Sequence, residues 1–181
     1  MFELIPKYVD THLTTRDYEL CWQQCVNQQA TSREDIQGMV LAFEFAKWYA
    51  YNLMDEVLDV SFMLDAIPQW GRYIDVVNIN GFRSVPATFA NGSSGEPPAT
   101  LPQAIKQWME AFVDETVSPL EAYWRFETIH PFIDGNGRVG HCIWAMACYR
   151  ATGVWPTELP PDVFGADKRL VERFGRPLFA S

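Results

Sequence analysis

The residue types that could do chemistry are concentrated in one short stretch, His130–Arg138, which reads HPFIDGNGR. Two glycines flank an asparagine there, and an apolar helical pattern begins near Gly137. Glycines can turn successive backbone amides toward one point, and a helix start adds unpaired N–H groups and the positive end of the helix dipole. The stretch therefore predicts an anion site, for which phosphate is the natural occupant.

The side chains of this stretch also fit a phosphate. Arg138 falls in the first helical turn, where a cation opposes the helix dipole unless an anion lies between them. Asp134 repels a phosphate unless a hard cation such as Mg²⁺ bridges the two. His130, with an ordinary pKa of about 6.5, can take a proton from a hydroxyl group at neutral pH. These groups together predict phosphoryl-group chemistry.

Helical patterns dominate the rest of the chain. Capping boxes are predicted at Thr31–Glu34 and Ser118–Glu121, and apolar residues recur at helical spacing after each of them. The predicted helices cover about Thr15–Asn27, Thr31–Ala46, part of Asp55–Ile67, Thr100–Val113, Ser118–Ile129 and Gly137–Tyr149, and the last ends before Gly153 and Pro156. The stretch with the chemistry therefore joins two helices.

One β-hairpin is predicted at Tyr73–Phe89. Apolar residues of Ile74–Ile79 are followed by Asn80-Gly81, a strong tight-turn signal, and then by Phe82–Val85. The Gly/Ser/Pro-rich stretch Asn91–Pro98 is expected to be a loop. The predicted fold class is an all-α helical bundle with one small β-hairpin flap.

Length and composition favour one domain. The chain has 181 residues, of which 48% are hydrophobic, enough for a sizeable core. We expect a single domain with its core at about residues 31–156, an N-terminal helical arm at 1–30 and a C-terminal tail at 157–181.

Charge and cysteine content limit the partners. The net charge is -9 and the sequence pI about 4.7, which disfavours binding to nucleic acid or to an anionic membrane. No signal-peptide pattern and no membrane-spanning apolar run is seen. The cysteines match no zinc or disulfide framework, so free thiols and a cytoplasmic location, or delivery into a host cytoplasm, are expected. They are Cys21, Cys25, Cys142 and Cys148.

The motif His-Pro-Phe-x-Asp-Gly-Asn-Gly-Arg resembles the signature of the Fic family (Fic/Doc fold). The resemblance covers roughly Ile36–Pro156. Within it, Glu121–Ile129 resembles the helix before the motif, Gly81–Ser84 the family's flap, and Pro97–Val113 the segment from flap to core. It implies a mostly helical enzyme that transfers AMP from ATP to a Ser, Thr or Tyr hydroxyl of a target protein, an AMPylase.

The resemblance also implies a role for each motif residue. His130 would be the base that activates the target hydroxyl, and Asp134 would bind Mg²⁺. Arg138 would contact the outer phosphates of the nucleotide. The anion hole for the α-phosphate would consist of Gly135, Asn136 and Gly137.

The flap would hold an extended segment of the target protein by strand addition. Its residues would be Gly81, Phe82, Arg83 and Ser84. For Arg83 two interpretations stay open, a target contact and a solvated flap residue.

Two departures from the family pattern concern regulation and the donor. His141 stands where a second arginine usually grips the γ-phosphate, and a structural histidine is an equally good interpretation of it. Arg33, Gln37 and Gly38 stand where many members have the inhibitory motif Ser/Thr-x-x-x-Glu-Gly/Asn. Both partners of the family's inhibitory salt bridge are then missing, which predicts that no internal brake exists and leaves room for a separate inhibitor protein.

Two alternatives to AMP transfer remain at this point. The same site could use another donor and transfer UMP, phosphocholine or phosphate, since the γ-phosphate arginine is absent. The chain could instead be a catalytically degenerate member that only binds a protein through its flap.

Overall fold

The computed structural model describes residues 11–89 and 92–162 of the chain. In these ranges it contains seven α-helices and one short 3₁₀-helix. The α-helices are α1 (Thr15–Asn27), α2 (Arg33–Asn52), α3 (Met54–Val57), α4 (Val60–Ile74), α5 (Leu101–Val113), α6 (Pro119–Ile129) and α7 (Asn136–Thr152), and the 3₁₀-helix is Val76–Asn78. The prediction of a mostly helical fold is confirmed.

Helix α7 is the centre of the bundle. It packs against α2 and α6, with further contacts to α4 and α1. Nearly every residue of its first three turns is buried, because it is surrounded by other helices instead of facing water. Core side chains from the other helices and from the loop before α7 include Phe43, Trp70, Phe126 and Phe132. The start of α7 is therefore held from several sides.

The helix boundaries follow local capping chemistry. Ser32 caps α2: its hydroxyl accepts the Asp35 amide at 3.1 Å, while the Asp35 carboxylate accepts the Ser32 amide at 3.1 Å. The capping box predicted at Thr31–Glu34 is thus wrong by one residue. Ser118 caps α6 as predicted, and its hydroxyl accepts the amide of Glu121 at 3.2 Å.

The predicted hairpin at Tyr73–Phe89 does not form. Tyr73 and Ile74 end α4, and Asp75 starts the 3₁₀-helix because its carboxylate accepts the Val77 amide at 2.8 Å. Asn78 then ties this turn to the rest of the protein, as its carboxamide donates to the carbonyls of Gly71 at 3.1 Å and Asp134 at 2.8 Å. Among the described residues the β pairing is one antiparallel bridge, Thr88 to Ser94.

The ends of the chain bear on the predicted arm and tail. α1, which lies in the predicted arm, packs on α2 and α7 and buries Cys21 and Cys25 in the common core. All four cysteines are free thiols, as expected. Most of the predicted tail at 157–181 lies outside the described residues. No helix in the described part of the chain is long and apolar enough to cross a membrane.

Candidate active site at the start of helix α7

The loop between α6 and α7 is closed by its own asparagine. The Asn136 carboxamide, 2% exposed, accepts the Phe132 amide at 2.8 Å and donates to the Phe132 carbonyl at 3.0 Å. His130 ends α6 in a left-handed conformation (φ 52°, ψ 63°), and Gly135 caps α7 in the same region (φ 79°). These two reversals let the loop turn back so that α7 starts beside the end of α6.

The first amides of α7 lie where the sequence predicted an anion site. A helix leaves its first N–H groups without helical partners, and here they belong to the turn that begins at Asn136. A Cβ at Gly137 would lie 2.7–2.8 Å from side-chain atoms of Gln28, and a Cβ at Gly135 would lie 2.6 Å from Ile74 Cγ2. Gly135 is therefore required by its positive φ and its contact with Ile74, whereas at Gly137 an added Cβ would meet the end of the flexible Gln28 side chain. Gln28 and Ile74 cover the helix start.

His130 is in the neutral form that a general base needs. Burial lowers its pKa to about 4, an effect partly offset by a hydrogen bond to the Glu127 backbone. Its imidazole is therefore neutral at neutral pH and able to accept a proton. The Phe89 ring meets the imidazole edge-on, with centroids 4.4 Å apart and an interplanar angle of 83°.

The carboxylate of Asp134 is exposed on the loop between α6 and α7. Its side chain is 65% exposed, and Oδ1 accepts the Gly135 amide at 2.6 Å and lies 3.8 Å from Arg138 Nη2. No group of three or more His, Cys, Asp or Glu side chains that could hold a metal occurs among the described residues. A single exposed carboxylate fits Mg²⁺, which proteins commonly hold with one or two carboxylates plus phosphate oxygens.

Arg138 lies beneath the loop and is 1% exposed. Its Nη1 donates to the Ile74 carbonyl at 3.2 Å and to Asp35 Oδ1 at 3.3 Å. The side chain of Asp35 is 24% exposed, and its pKa is lowered by its hydrogen bond with Ser32 in the first place. The arginine is thus already paired with an acidic residue on α2.

His141 does not lie at the anion site. It is fully buried, its ring centroid is 4.9 Å from that of Phe43, and burial lowers its pKa to about 3. Neither ring nitrogen has a hydrogen-bond partner within the described ranges. The phosphate-binding role predicted for His141 is therefore not supported, because α7 turns this position into the core, and the structural interpretation fits.

The predicted flap residues are dispersed. Gly81 lies in a turn after the 3₁₀-helix, Phe82 packs on Phe132 with ring centroids 5.4 Å apart, and Ser84 is exposed. Arg83 is 4% exposed, so it is neither a solvated residue nor accessible for a target contact. A direct docking contact is therefore not supported for Arg83, and a docking role of Gly81, Phe82 and Ser84 stays a prediction. The strand that was predicted before them is replaced by the 3₁₀-helix.

A paired segment lies over His130 instead, and consists of Ala87–Phe89 and Ser93–Gly95. Its two sides are joined by hydrogen bonds from the Phe89 amide to the Ser93 carbonyl at 2.8 Å and from the Gly95 amide to the Ala87 carbonyl at 3.1 Å. A Cβ at Gly95 would lie 3.0 Å from His130 Cβ. Phe89 and Gly95 thus bring this segment onto His130, in the loop between α6 and α7.

The residues of the degenerate inhibitory motif do not converge on the site. Arg33 and Gln37 are exposed on α2. A Cβ at Gly38 would collide with the backbone carbonyl of Tyr73, so this glycine serves the close packing of α2 on α4. The α2 residue that reaches the motif is Asp35, which the sequence analysis missed; its place as third residue of the capping box was the available signal.

Glu127 is another residue that the sequence analysis did not single out. Its carboxyl is fully buried, has no hydrogen-bond partner within the described part of the chain, and has a pKa raised to about 8 by burial. A Cβ at Gly140 would collide with this carboxyl, so the close contact of α6 with α7 at this point requires a glycine. At neutral pH the carboxyl is mainly in its neutral form.

Comparison with known proteins identifies related chains. Residues 52–147 match the sequence model of the Fic/DOC family, and this range includes the whole loop between α6 and α7. The structure is similar to the crystal structure of a Fic family protein from Desulfovibrio desulfuricans G20, with a TM-score of 0.52 and 19% sequence identity. The match covers 92% of this chain and 58% of that chain, so this chain spans little more than half of the other's length.

Proposed function

Because this chain belongs to the Fic/DOC family, we propose that it transfers a nucleoside monophosphate, AMP from ATP in the first instance, to a Ser, Thr or Tyr hydroxyl of a target protein. Members of the family commonly transfer nucleotides or phosphate-linked groups to proteins. The observation that carries the proposal is the position of His130 at the end of α6, in the short loop whose glycines form the start of α7, with burial favouring the neutral imidazole.

His130 serves as the general base. It takes the proton of the target hydroxyl, whose oxygen then forms a bond to the α-phosphorus while the bond from that phosphorus to the bridging oxygen breaks. The electron pair leaves with pyrophosphate. General-base help of this kind contributes about 10²–10⁴ in rate, so positioning and charge stabilisation must supply the remainder.

The start of α7 binds the phosphates. Amides of Asn136 and Gly137 donate to phosphate oxygens, and the Gly135 amide joins them when it leaves Asp134 Oδ1. Arg138 pairs with the outer phosphates when they displace Asp35. Asp134 would hold Mg²⁺, which when bound neutralises charge on the phosphates. Gln28, which covers Gly137, must shift for a phosphate to reach the amides, and this side chain is long enough to do so.

The target docks on the paired segment Ala87–Phe89 and Ser93–Gly95. An extended peptide can add to such a segment through backbone hydrogen bonds. The contact between Phe89 and His130 supports this location, because a peptide bound there is carried past the base. A separate inhibitor protein and a cytoplasmic location remain predictions.

The buried position of His141 supports one alternative, a donor other than a triphosphate. His141 does not supply the cation that would grip a γ-phosphate. A diphosphate-linked donor needs no such contact, so transfer of UMP, phosphocholine or phosphate by the same base is the second candidate.

The proposal is tested by incubating the purified protein with Mg²⁺ and α-labelled ATP, CTP, GTP or UTP in a cell lysate. We expect a labelled protein band with ATP that is lost in His130→Ala and retained in His12→Ala, whose side chain is exposed outside the loop. Label from another nucleotide would change the donor. No label from any of them, with the protein folded, would overturn nucleotidyl transfer and favour another donor class or a module that only binds proteins.

A further inference from the structure

One buried guanidinium, that of Arg83, joins the catalytic loop to the chain that leads into the paired segment. On the loop side, Nε donates to the His130 carbonyl at 2.6 Å and Nη2 to the Ile129 carbonyl at 3.1 Å. On the other side, Nη1 donates to the Val85 carbonyl at 2.8 Å and Nη2 to the Glu96 carbonyl at 2.6 Å. Four carbonyls from two distant stretches thus meet at one side chain.

Backbone contacts reinforce the same junction. The Arg83 amide donates to the Pro131 carbonyl at 2.8 Å, and the Glu96 amide donates to the Ile129 carbonyl at 3.1 Å. A Cβ at Gly95 would lie 3.0 Å from Arg83 Nη2. Residues 129–131 are therefore joined to residues 83–96 by backbone hydrogen bonds as well as by the guanidinium.

The charge of Arg83 suits this position. Ile129 and His130 carry the last carbonyls of α6, where the helix dipole is negative and a cation is favoured. Burial lowers the pKa of Arg83, while the charge of Glu96 acts in the opposite direction. Burial removes the hydrating water of the guanidinium, and the four carbonyl oxygens accept the hydrogen bonds that this water would have accepted.

His130 needs such support because of its backbone. A left-handed conformation is unfavourable for a residue with a Cβ and persists where the surroundings hold it. The bond from Arg83 Nε lies on the carbonyl of His130 itself. Relaxation of that turn would break it, so the guanidinium opposes movement of the residue that carries the imidazole.

We propose that Arg83 is a positioning residue for the transfer reaction. It fixes the backbone of His130 and ties it to the paired segment, so that the imidazole and a target peptide bound to that segment keep a fixed position relative to each other. This inference rests on the proposed function. Arg83 itself is buried and touches neither substrate. Its role is exerted through His130 and through Val85 and Glu96, which flank the paired segment.

The test compares Arg83→Lys with Arg150→Met. Lysine keeps the charge but cannot reach four carbonyls at once. Arg150 is a matched control, because it also donates to two carbonyls, Phe112 at 2.5 Å and Val113 at 2.7 Å, at the end of α5. Measurements are the transfer rate, the nucleotide Kd, thermal unfolding, and the pKa of His130 by NMR with His141 as internal reference.

We expect Arg83→Lys to bind nucleotide nearly as well as the wild type and to transfer about 100-fold more slowly, since small misplacements of a catalytic group have effects of this size. The pKa of His130 should rise from about 4 toward its ordinary value, because the loosened loop admits water. Arg150→Met should lose stability but not transfer. An unchanged His130 pKa, or a rate loss equal to that of Arg150→Met, would overturn the proposal.

A second variant covers the case in which Arg83→Lys does not fold. Gly95→Ala places a methyl group between Arg83 and His130 and leaves the guanidinium in the protein. It should give the same combination of slow transfer, retained nucleotide binding and raised His130 pKa; normal transfer would contradict the inference. The NMR pKa also separates this inference from the proposed function, since it is measurable in a protein that transfers nothing.

Discussion

Arg138 Nη1 lies 3.3 Å from Asp35 Oδ1, so the arginine that follows the glycine loop pairs with a carboxylate in the first turn of α2. The arginine is buried and the aspartate only partly exposed. A phosphate that approaches the start of α7 therefore competes with Asp35 for the guanidinium. Arg33 and Gln37, which stand at the predicted inhibitory motif, are exposed on α2, and the acidic residue of α2 that restrains the motif arginine is Asp35.

Removing the charge of Asp35 should strengthen nucleotide binding. Asp35→Asn keeps an oxygen that can cap α2 but leaves buried Arg138 with the Ile74 carbonyl and the more distant, exposed Asp134 carboxylate, so the unliganded protein should lose about 1–2 kcal/mol of stability. ATP with Mg²⁺ should then raise Tm more in the variant than in the wild type. Calorimetric Kd values and thermal unfolding test this, with the exposed neighbour Glu34→Gln as control. Weaker binding in Asp35→Asn than in Glu34→Gln would contradict the prediction.

The pH dependence of transfer follows from the pKa of His130. The neutral imidazole is the base, and a pKa of about 4 keeps it neutral as the pH falls well below 6.5. We expect kcat/KM for the nucleotide, which reports groups of the free enzyme, to be insensitive to His130 between about pH 5.5 and 8 and to fall only on approach to pH 4. A decline with a midpoint near 6.5 would show that the base is solvated.

Asp134→Asn should reduce the response to Mg²⁺ while the fold is kept. Its side chain is exposed, so the substitution removes the charge proposed to bind Mg²⁺ at little structural cost. Oδ1 is replaced by an amide oxygen that can still accept the Gly135 amide. We expect the Mg²⁺ concentration for half-maximal rate to rise by about 10-fold or more. The control is Asp75→Asn, which removes the charge of the carboxylate that starts the 3₁₀-helix. Equal Mg²⁺ dependence in both variants would exclude Asp134 as a ligand.

Two glycine substitutions separate the anion site from general stability. The added methyl of Gly137→Ala would press on Gln28, a flexible side chain, so the protein should fold but bind nucleotide more weakly. Gly153→Ala meets open space, but its φ of +71° strains an alanine by about 1–2 kcal/mol. We expect Gly137→Ala to bind nucleotide more weakly, and Gly153→Ala to have a lower Tm with unchanged nucleotide affinity. The reverse pattern in a titration and a melting curve would refute the assignment.

Local patterns predicted much of the helical fold. α1 and α6 have the predicted ends, because apolar spacing and capping residues act within a few residues of each other. α4 was predicted to end by Ile67, yet it continues through Pro68 to Ile74. Burial of Trp70 and Ile74 in the core outweighs the hydrogen bond that the proline removes, and a single sequence does not show such packing.

The predicted hairpin failed for a similar reason. Asn80-Gly81 is a strong turn signal, and a turn does form there, with Gly81 at φ 81°. The strand before it is replaced by a 3₁₀-helix because Asn78 bonds to Gly71 and Asp134, and Asp134 is distant in sequence. Thr88, from the end of the predicted hairpin, pairs instead with Ser94, which lies in the stretch Asn91–Pro98 that was predicted to be a loop.

For the candidate site, the motif predicted which residues lie together at the start of α7 but not which residues support them. His130, Asp134 and the glycines can be assigned from residue type and spacing. Arg83, Asp35 and Gln28 reach the loop through tertiary contacts. The flap resemblance that includes Arg83 and the capping pattern that includes Asp35 do not show these contacts. His141 was ambiguous because a histidine on an apolar helix face suits both a core position and a phosphate contact.

The most direct test of nucleotidyl transfer is the mass of the group added to the target protein. Wild-type protein with ATP and Mg²⁺ should leave a whole AMP group on a Ser, Thr or Tyr side chain, located by peptide mass spectrometry, and His130→Ala should leave the same peptide unmodified. A target that carries phosphate alone, or one modified equally by both proteins, would contradict nucleotidyl transfer with His130 as the base.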